Sequence, residues 1–328
     1  MGSAKPARIS FAGRVGGNQE FVLQRDNAED AAILEKIPDA APLVPFRDLF
    51  DLGGFVEIEL WKAAVVEGFG TFVLVWLTVW ISVGQFKIVQ PSPTSGIYAT
   101  TTFLAPLVGG ITNMFILSLC TYGFGPVSGA HLNPTISFAA FFARLMSFPR
   151  LVLYVVFQLL GASLAGLLVR AGYDSRNFTC GGCGVITSLV SVGDAFSIEF
   201  SSDLALIFLS FGVGLDPRQK AAYGPGLAPI LVGAVLGVIS FGTAIVRQGY
   251  NGASLNPARC FGTFVGGHFP VYHWIHWVAP ISAALVHGTL YYLIPPWNYG
   301  GSFSKAEMYT IQEGSANREY VKPVRSTS

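Results

Sequence analysis

Long apolar runs alternate with short polar breaks along this chain, and both ends are polar. Six runs approach the ~20 residues that a membrane-spanning helix needs: about 61–83, 101–122, 149–170, 199–215, 226–246 and 271–294. They predict six spanning helices. Glu199 and Asp203 fall at the start of the fourth, which places Asp203 near the outer surface. Two shorter runs, roughly 133–143 and 256–266, each follow an Asn-Pro pair. At ~1.5 Å per residue they reach about 15 Å, half of a ~30 Å hydrocarbon core. Residues 1–57 and 297–328 are polar with little periodicity and predict tails that are flexible or docked on the surface.

The two Asn-Pro pairs sit in near-copies of one motif, SGAHLNPTISF at 128–138 and NGASLNPARCF at 251–261. Each copy follows the second full span of a set of three. Three is odd, so the second set enters the membrane from the opposite side. This predicts a channel domain over 58–296 built from inverted repeats, about 58–170 and 198–296. Glu67 and Glu199, 132 residues apart, open the first and fourth spans in the same way. The expected fold class is an all-α membrane protein, with six transmembrane helices and two re-entrant half-helices.

The chemistry of the pair suits a helix start. Asn is a preferred N-cap, and Pro is favoured at the first helical position because its fixed φ fits and it lacks an N–H that would go unpaired. Two half-helices starting near the midplane bring their positive dipole ends together beside the carboxamides of Asn133 and Asn256. Irregular backbone at that depth is tolerated only where it is buried in protein or lines a water-filled cavity. A pore follows. Its positive midpoint repels cations and protons, and the two amides hold a passing oxygen.

Composition supports the membrane reading: 52% of residues are hydrophobic and 12% charged, against roughly 25% charged in a soluble domain. A net charge of +1 argues against nucleic acid as a partner. The first 50 residues have no apolar stretch after a basic start, so no cleavable signal peptide is expected. A cytoplasmic N-terminus leaves fifteen Lys and Arg inside against five outside, which sets the orientation. The loop 171–197 is then external, and Asn177 in Asn-Phe-Thr is open to glycosylation.

In that oxidising setting Cys180 and Cys183 pair with each other or across subunits. Cys260 is either a reactive thiol facing the pore or inert packing. The CGGC run lacks the further ligands of a zinc site, so no metal is expected. Gly233 and Gly237 predict a close helix crossing. No nucleophile–base set or nucleotide loop suggests an enzyme.

Taken together, SGAHLNPT, GASLNPAR, Glu67 in EGFGTF, Gln158, Glu199 in IEF and Pro280 resemble the aquaporin or major intrinsic protein family over about residues 60–295. The NPARC box with Cys260, Thr135 in the first box and a cysteine-bearing outer loop are most similar to its X intrinsic protein subfamily. The resemblance implies an aquaporin-like right-handed bundle without cofactors. It further implies a passive channel for water or small uncharged solutes of the glycerol, urea and hydrogen peroxide class. The expected assembly is a lipid-embedded homotetramer with one pore per subunit, in the plasma membrane, with both termini cytoplasmic.

Site residues transfer position by position. The boxes are Asn133, Pro134 and Thr135, and Asn256, Pro257 and Ala258, with Thr135 where the family usually has Ala. Arg259 is the expected filter arginine, an intramembrane charge that is functional by default. Spacing from the two Asn residues adds Asn113, Ala253 and Ala244 to the filter; a one-residue shift would replace Ala244 by Thr243. Asn113 alternatively bonds a neighbouring helix. Small residues here predict a wide opening, while Cys260 stands where glycerol facilitators of the family carry Asp. Glu67 and Glu199 are expected to accept hydrogen bonds from the re-entrant loops, and His131 to brace the inner vestibule or gate it with pH.

Two other classes compete. A secondary transporter would need deep ionisable residues, and apart from Arg259 the midplane segments offer none. A nonconducting membrane protein would act through its tails, where Ser302, Ser304 and Ser326 are open to phosphorylation.

Overall fold

The computed structural model describes residues 43–83, 101–216, 220–244 and 246–294, with a few isolated positions before them. Lys87, Arg218, Ser302, Ser304, Ser326 and most of both polar tails lie outside the described residues.

Eight main helices are described. The full-length ones are α1 (Ile58–Ser82), α2 (Thr101–Ser128), α4 (Phe148–Tyr173), α5 (Val192–Ser210, extended by a π-helical turn Phe211–Leu215), α6 (Lys220–Ala244) and α8 (Ile275–Leu293). Between them lie the short α3 (Pro134–Phe142) and α7 (Pro257–Gly266). At 9 and 10 residues, α3 and α7 are the predicted half-helices. Five of the helices are long and apolar enough to cross a membrane; α8 is interrupted by His276, Pro280 and His287. Among the described residues the sole β feature is an isolated pairing of Val185 with Tyr250.

Polarity is inverted relative to a soluble bundle. Leu119 and Val238 are about 70% exposed, at 68% and 70%, whereas Glu67, Gln158, Glu199 and Asp203 are completely buried. Such an apolar exterior marks a surface meant for lipid. The all-helical membrane fold is therefore as the pattern predicts. Each half-helix packs mainly on a full-length helix from the other half of the chain, α3 against α8 and α7 against α4. The long helices pair as α1 with α4 and α2, α5 with α8, and α2 with α6. The α2–α6 crossing uses the expected glycines: a Cβ on Gly237 would sit 2.6 Å from the Gly110 carbonyl, which no real side chain tolerates.

Two boundaries differ from the sequence reading. Helix α5 starts at Val192, because Ser191 caps it by accepting the Asp194 N–H at 3.1 Å. Glu199 and Asp203 thus lie inside the helix, and Asp203 is buried rather than near the outer surface. At the N-terminal side the polar tail ends in structure: Val44 is fully buried and exchanges backbone and guanidinium hydrogen bonds with Arg144 at 2.8 Å.

Candidate pore and filter

The two Asn-Pro loops meet and hold each other. Asn133 accepts the Thr135 N–H at 2.9 Å, and Asn256 accepts those of Ala258 and Arg259 at 3.0 and 3.2 Å, so each caps its own half-helix. Each amide nitrogen then reaches across: Asn133 Nδ2 donates to the Leu255 carbonyl at 2.7 Å, and Asn256 Nδ2 to the Leu132 carbonyl at 2.9 Å. One proton of each NH2 is spent on this crossing, and the second has no partner among the described residues. Leu132 and Leu255, the residues before each Asn, both adopt left-handed backbone, with φ of 52° and 57°. That conformation disfavours bulky side chains and persists because the surroundings enforce it. It also turns the two carbonyls toward the opposite Asn.

Buried carboxylates anchor the loops. Glu67 accepts from the Leu132 N–H and from Gln158 Nε2, the latter at 2.9 Å. Glu199 accepts from Ser254 N–H at 3.0 Å, Ser254 Oγ at 2.7 Å and Tyr250 OH at 2.9 Å. Burial, with the Glu199 charge beside it, pushes the Tyr250 hydroxyl above the usual phenol range, so it stays a donor. The two halves differ in what surrounds the carboxylate. Gln158 is a neutral donor, whereas Glu199 has His276 Nδ1 at 3.5 Å and Asp203 one turn away. Both Asp203 oxygens lack a hydrogen bond among the described residues. His131 is buried at 3.1 Å from Ser137 Oγ and packs edge-on to Tyr154, a bracing position. Thr135 is fully buried, its hydroxyl 3.4 Å from the Leu255 carbonyl that Asn133 also reaches.

Arg259 projects from the first turn of α7 and is held from two sides. Toward α1, Nε donates to Thr78 Oγ1 at 3.1 Å and Nη2 to Ser82 Oγ at 3.0 Å. Toward the loop between α4 and α5, Nη1 donates to the Gly181 carbonyl at 2.6 Å. Its oxygen partners are neutral hydroxyls and carbonyls, so none of them offsets the positive charge with an opposite one. Ala253 lies beside it, with its N–H bonded to Thr243 Oγ1 at 3.0 Å. Thr243 is thereby a brace, and the neighbouring Ala244 rests against Gly252. Asn113 is half-buried on α2, on the helical stripe of Ile116, Leu117 and Cys120 that faces Leu132.

The cysteines depart from the expected pairing. Cys183 is bonded to Cys260, with Cα atoms 5.3 Å apart, while Cys180 is a buried free thiol 3.3 Å from Thr263 Oγ1. The loop between α4 and α5 folds onto α7, which brings together residues 77 apart in sequence. Cys260 is therefore neither a free thiol nor simple packing. Asn177 is exposed.

A profile of the major intrinsic protein family matches residues 55–292. The chain belongs to this family. As a member of the major intrinsic protein family it is an integral membrane channel and not an enzyme. Among its relatives are a PIP-type aquaporin of Atriplex canescens, 31% identical over 255 residues (74% of this chain, 83% of that protein), and a probable aquaporin PIP2-8 of Arabidopsis thaliana, 31% identical over 258 residues (74% and 84%). The aquaglyceroporin structure from Plasmodium falciparum shares its fold, with a TM-score of 0.52 and 21% identity, covering 70% of this chain and 94% of that one. The family relatives named are of PIP type.

Several residues of this major intrinsic protein escaped the sequence reading: Thr78, Ser82, Tyr250, Ser254 and His276. A signal existed for the first two. Glu67, Thr71, Thr78 and Ser82 recur at helical spacing in an otherwise apolar span, which marks the inward face of α1.

Proposed function

We propose that the chain is a passive channel for water and small uncharged solutes of the glycerol, urea and hydrogen peroxide class. The observation that carries this reading is the crosswise bonding of Asn133 and Asn256, which sets two helix N-termini face to face with one amide proton free on each. Cations and hydronium meet like charge there and at Arg259, whereas a neutral molecule meets donors. The proposed filter comprises Asn113, Ala244, Ala253 and Arg259. Three of the four are medium or small residues, so solutes larger than water pass.

The proposed channel domain spans 58–296 as two inverted repeats, 58–170 and 198–296. This division is supported by the matched loops, in which Glu67 serves Leu132 as Glu199 serves Ser254. We further propose the X intrinsic protein subfamily, supported by NPARC and by an outer-loop cysteine joined to Cys260. A homotetramer with one pore per subunit, in the plasma membrane with both termini cytoplasmic, completes the reading. The PIP-type relatives and the basic inner residues support it.

A proton-coupled transporter is the second reading, because Glu199, Asp203 and His276 form a buried ionisable cluster that the sequence had not placed at depth. Stopped-flow light scattering on proteoliposomes separates the two. Fluxes of water, glycerol and urea that rise linearly with the imposed gradient support the channel, and saturating or proton-driven flux supports the transporter.

A further inference from the structure

We propose that the Cys183–Cys260 disulfide is the positioning element that fixes Arg259, and through it sets the solute cut-off of the pore. This inference rests on the channel reading above.

The guanidinium is stretched between two bodies. One is α1, a long helix whose Thr78 and Ser82 hold Nε and Nη2. The other is an irregular segment, 180–184, whose Gly181 carbonyl accepts Nη1 at 2.6 Å and whose Cys183 Sγ lies 3.4 Å from the same nitrogen. A helix holds its own position by its ladder; a loop must be held by something else. Here Cys183 is tied covalently to Cys260, the residue directly after Arg259, so the loop and the arginine share one anchor.

Asn251 adds a second clamp. Its backbone carbonyl accepts the Gly182 N–H at 3.0 Å and its Oδ1 the Gly184 N–H at 2.9 Å, while its Nδ2 donates to the Cys180 carbonyl at 2.8 Å.

The loop also forms part of the filter wall. Gly182 has φ of +84°, and a Cβ there would lie 3.0 Å from both Arg259 Nη1 and the Ala253 carbonyl. The backbone approaches two filter residues as closely as glycine allows. The disulfide itself is buried, with Cys183 2% and Cys260 0% exposed, so it acts as a permanent strap rather than a surface thiol pair. Without it, the Gly181 carbonyl drifts from Nη1, the guanidinium keeps only its α1 partners, and the outer mouth widens on the loop side. Water, already small enough, gains little; larger neutral solutes gain most.

The test uses the full-length chain in liposomes. Peptide mapping under non-reducing conditions first establishes the 183–260 link, and free thiols at both positions overturn the proposal. The glycerol-to-water permeability ratio is then compared in wild type, the double variant Cys183→Ala/Cys260→Ala and Asn251→Ala. The ratio is expected to rise about three- to tenfold in the double variant, up to the low end of the factor one charge-assisted hydrogen bond carries, and less in Asn251→Ala. A merely structural bond would instead lower both fluxes in proportion, and that result, or an unchanged ratio, overturns the proposal. Should the double variant fail to reach the liposomes, an unchanged ratio in Asn251→Ala does so alone. A wild type that conducts no better than empty liposomes refutes the channel reading first, and this one with it.

Discussion

Replacing Arg259 in two ways separates its charge from its reach. At about 4 Å and an effective dielectric of about 20, a fixed positive charge opposes a monovalent cation by about 4 kcal/mol. Arg259 is half-buried, so solvent and salt trim this to about 2 kcal/mol, or about thirtyfold in cation passage. Arg259→Ala is expected to raise potassium and proton leak by about that factor. Arg259→Lys keeps the charge but replaces a fork that spans Ser82 and Gly181 by a single ammonium, which reaches one side only. The lysine variant should therefore stay within about threefold of wild type in cation leak, while its glycerol-to-water ratio rises as in the alanine variant. Ion leak is read with pH- and potassium-sensitive dyes inside proteoliposomes, and water flux in the same preparations. If Arg259→Ala leaks no more than wild type with water flux intact, or if lysine leaks as much as alanine, the electrostatic reasoning is wrong.

Other expectations concern stability and the filter. Asn133→Ala removes a cap of about 1 kcal/mol and strips the Leu255 carbonyl of its close partner, for a total of about 2–4 kcal/mol. Thr135→Ala should cost under about 1 kcal/mol, since its contact to that carbonyl is long; equal losses on thermal unfolding in detergent would contradict the crosswise geometry. Glu199→Gln should lower the unfolding midpoint, because Ser254 and Tyr250 donate to its carboxylate, whereas Asp203→Asn, which alters a side chain with no hydrogen bond among the described residues, should leave it unchanged or raised. A drop in Asp203→Asn as large as in Glu199→Gln would show that Asp203 has a structural partner. Ala244→His should cut glycerol flux more than water flux, and equal cuts would remove Ala244 from the filter.

What the sequence disclosed, and what it hid, divides along physical lines. The half-helices were legible because their start is local chemistry: Asn caps and Pro occupies the first turn whatever surrounds them. Membrane character was legible from apolar length alone. The depth of Glu199 and Asp203 was not, since the capping by Ser191 extends α5 outward through residues that are only weakly apolar. Cysteine pairing was hidden for a different reason. Cys180 and Cys183 are neighbours in sequence, yet the bond joins Cys183 to a residue 77 positions away, and only the folding of the outer loop onto α7 brings the two together. The polar stripe of α1 was visible in principle, but its partner Arg259 lies 177 residues from Ser82, and nothing in either segment names the other.

The most direct test of the central claim is to record neutral-solute flux and proton flux together in wild-type proteoliposomes, with and without an imposed pH gradient. The crossed Asn loops and the Arg259 charge predict water and glycerol fluxes well above empty liposomes, linear in their own gradients, indifferent to pH difference, and accompanied by no added proton flux. Solute flux that saturates, or that follows the proton gradient, would contradict the channel and assign the buried Glu199, Asp203 and His276 cluster to transport.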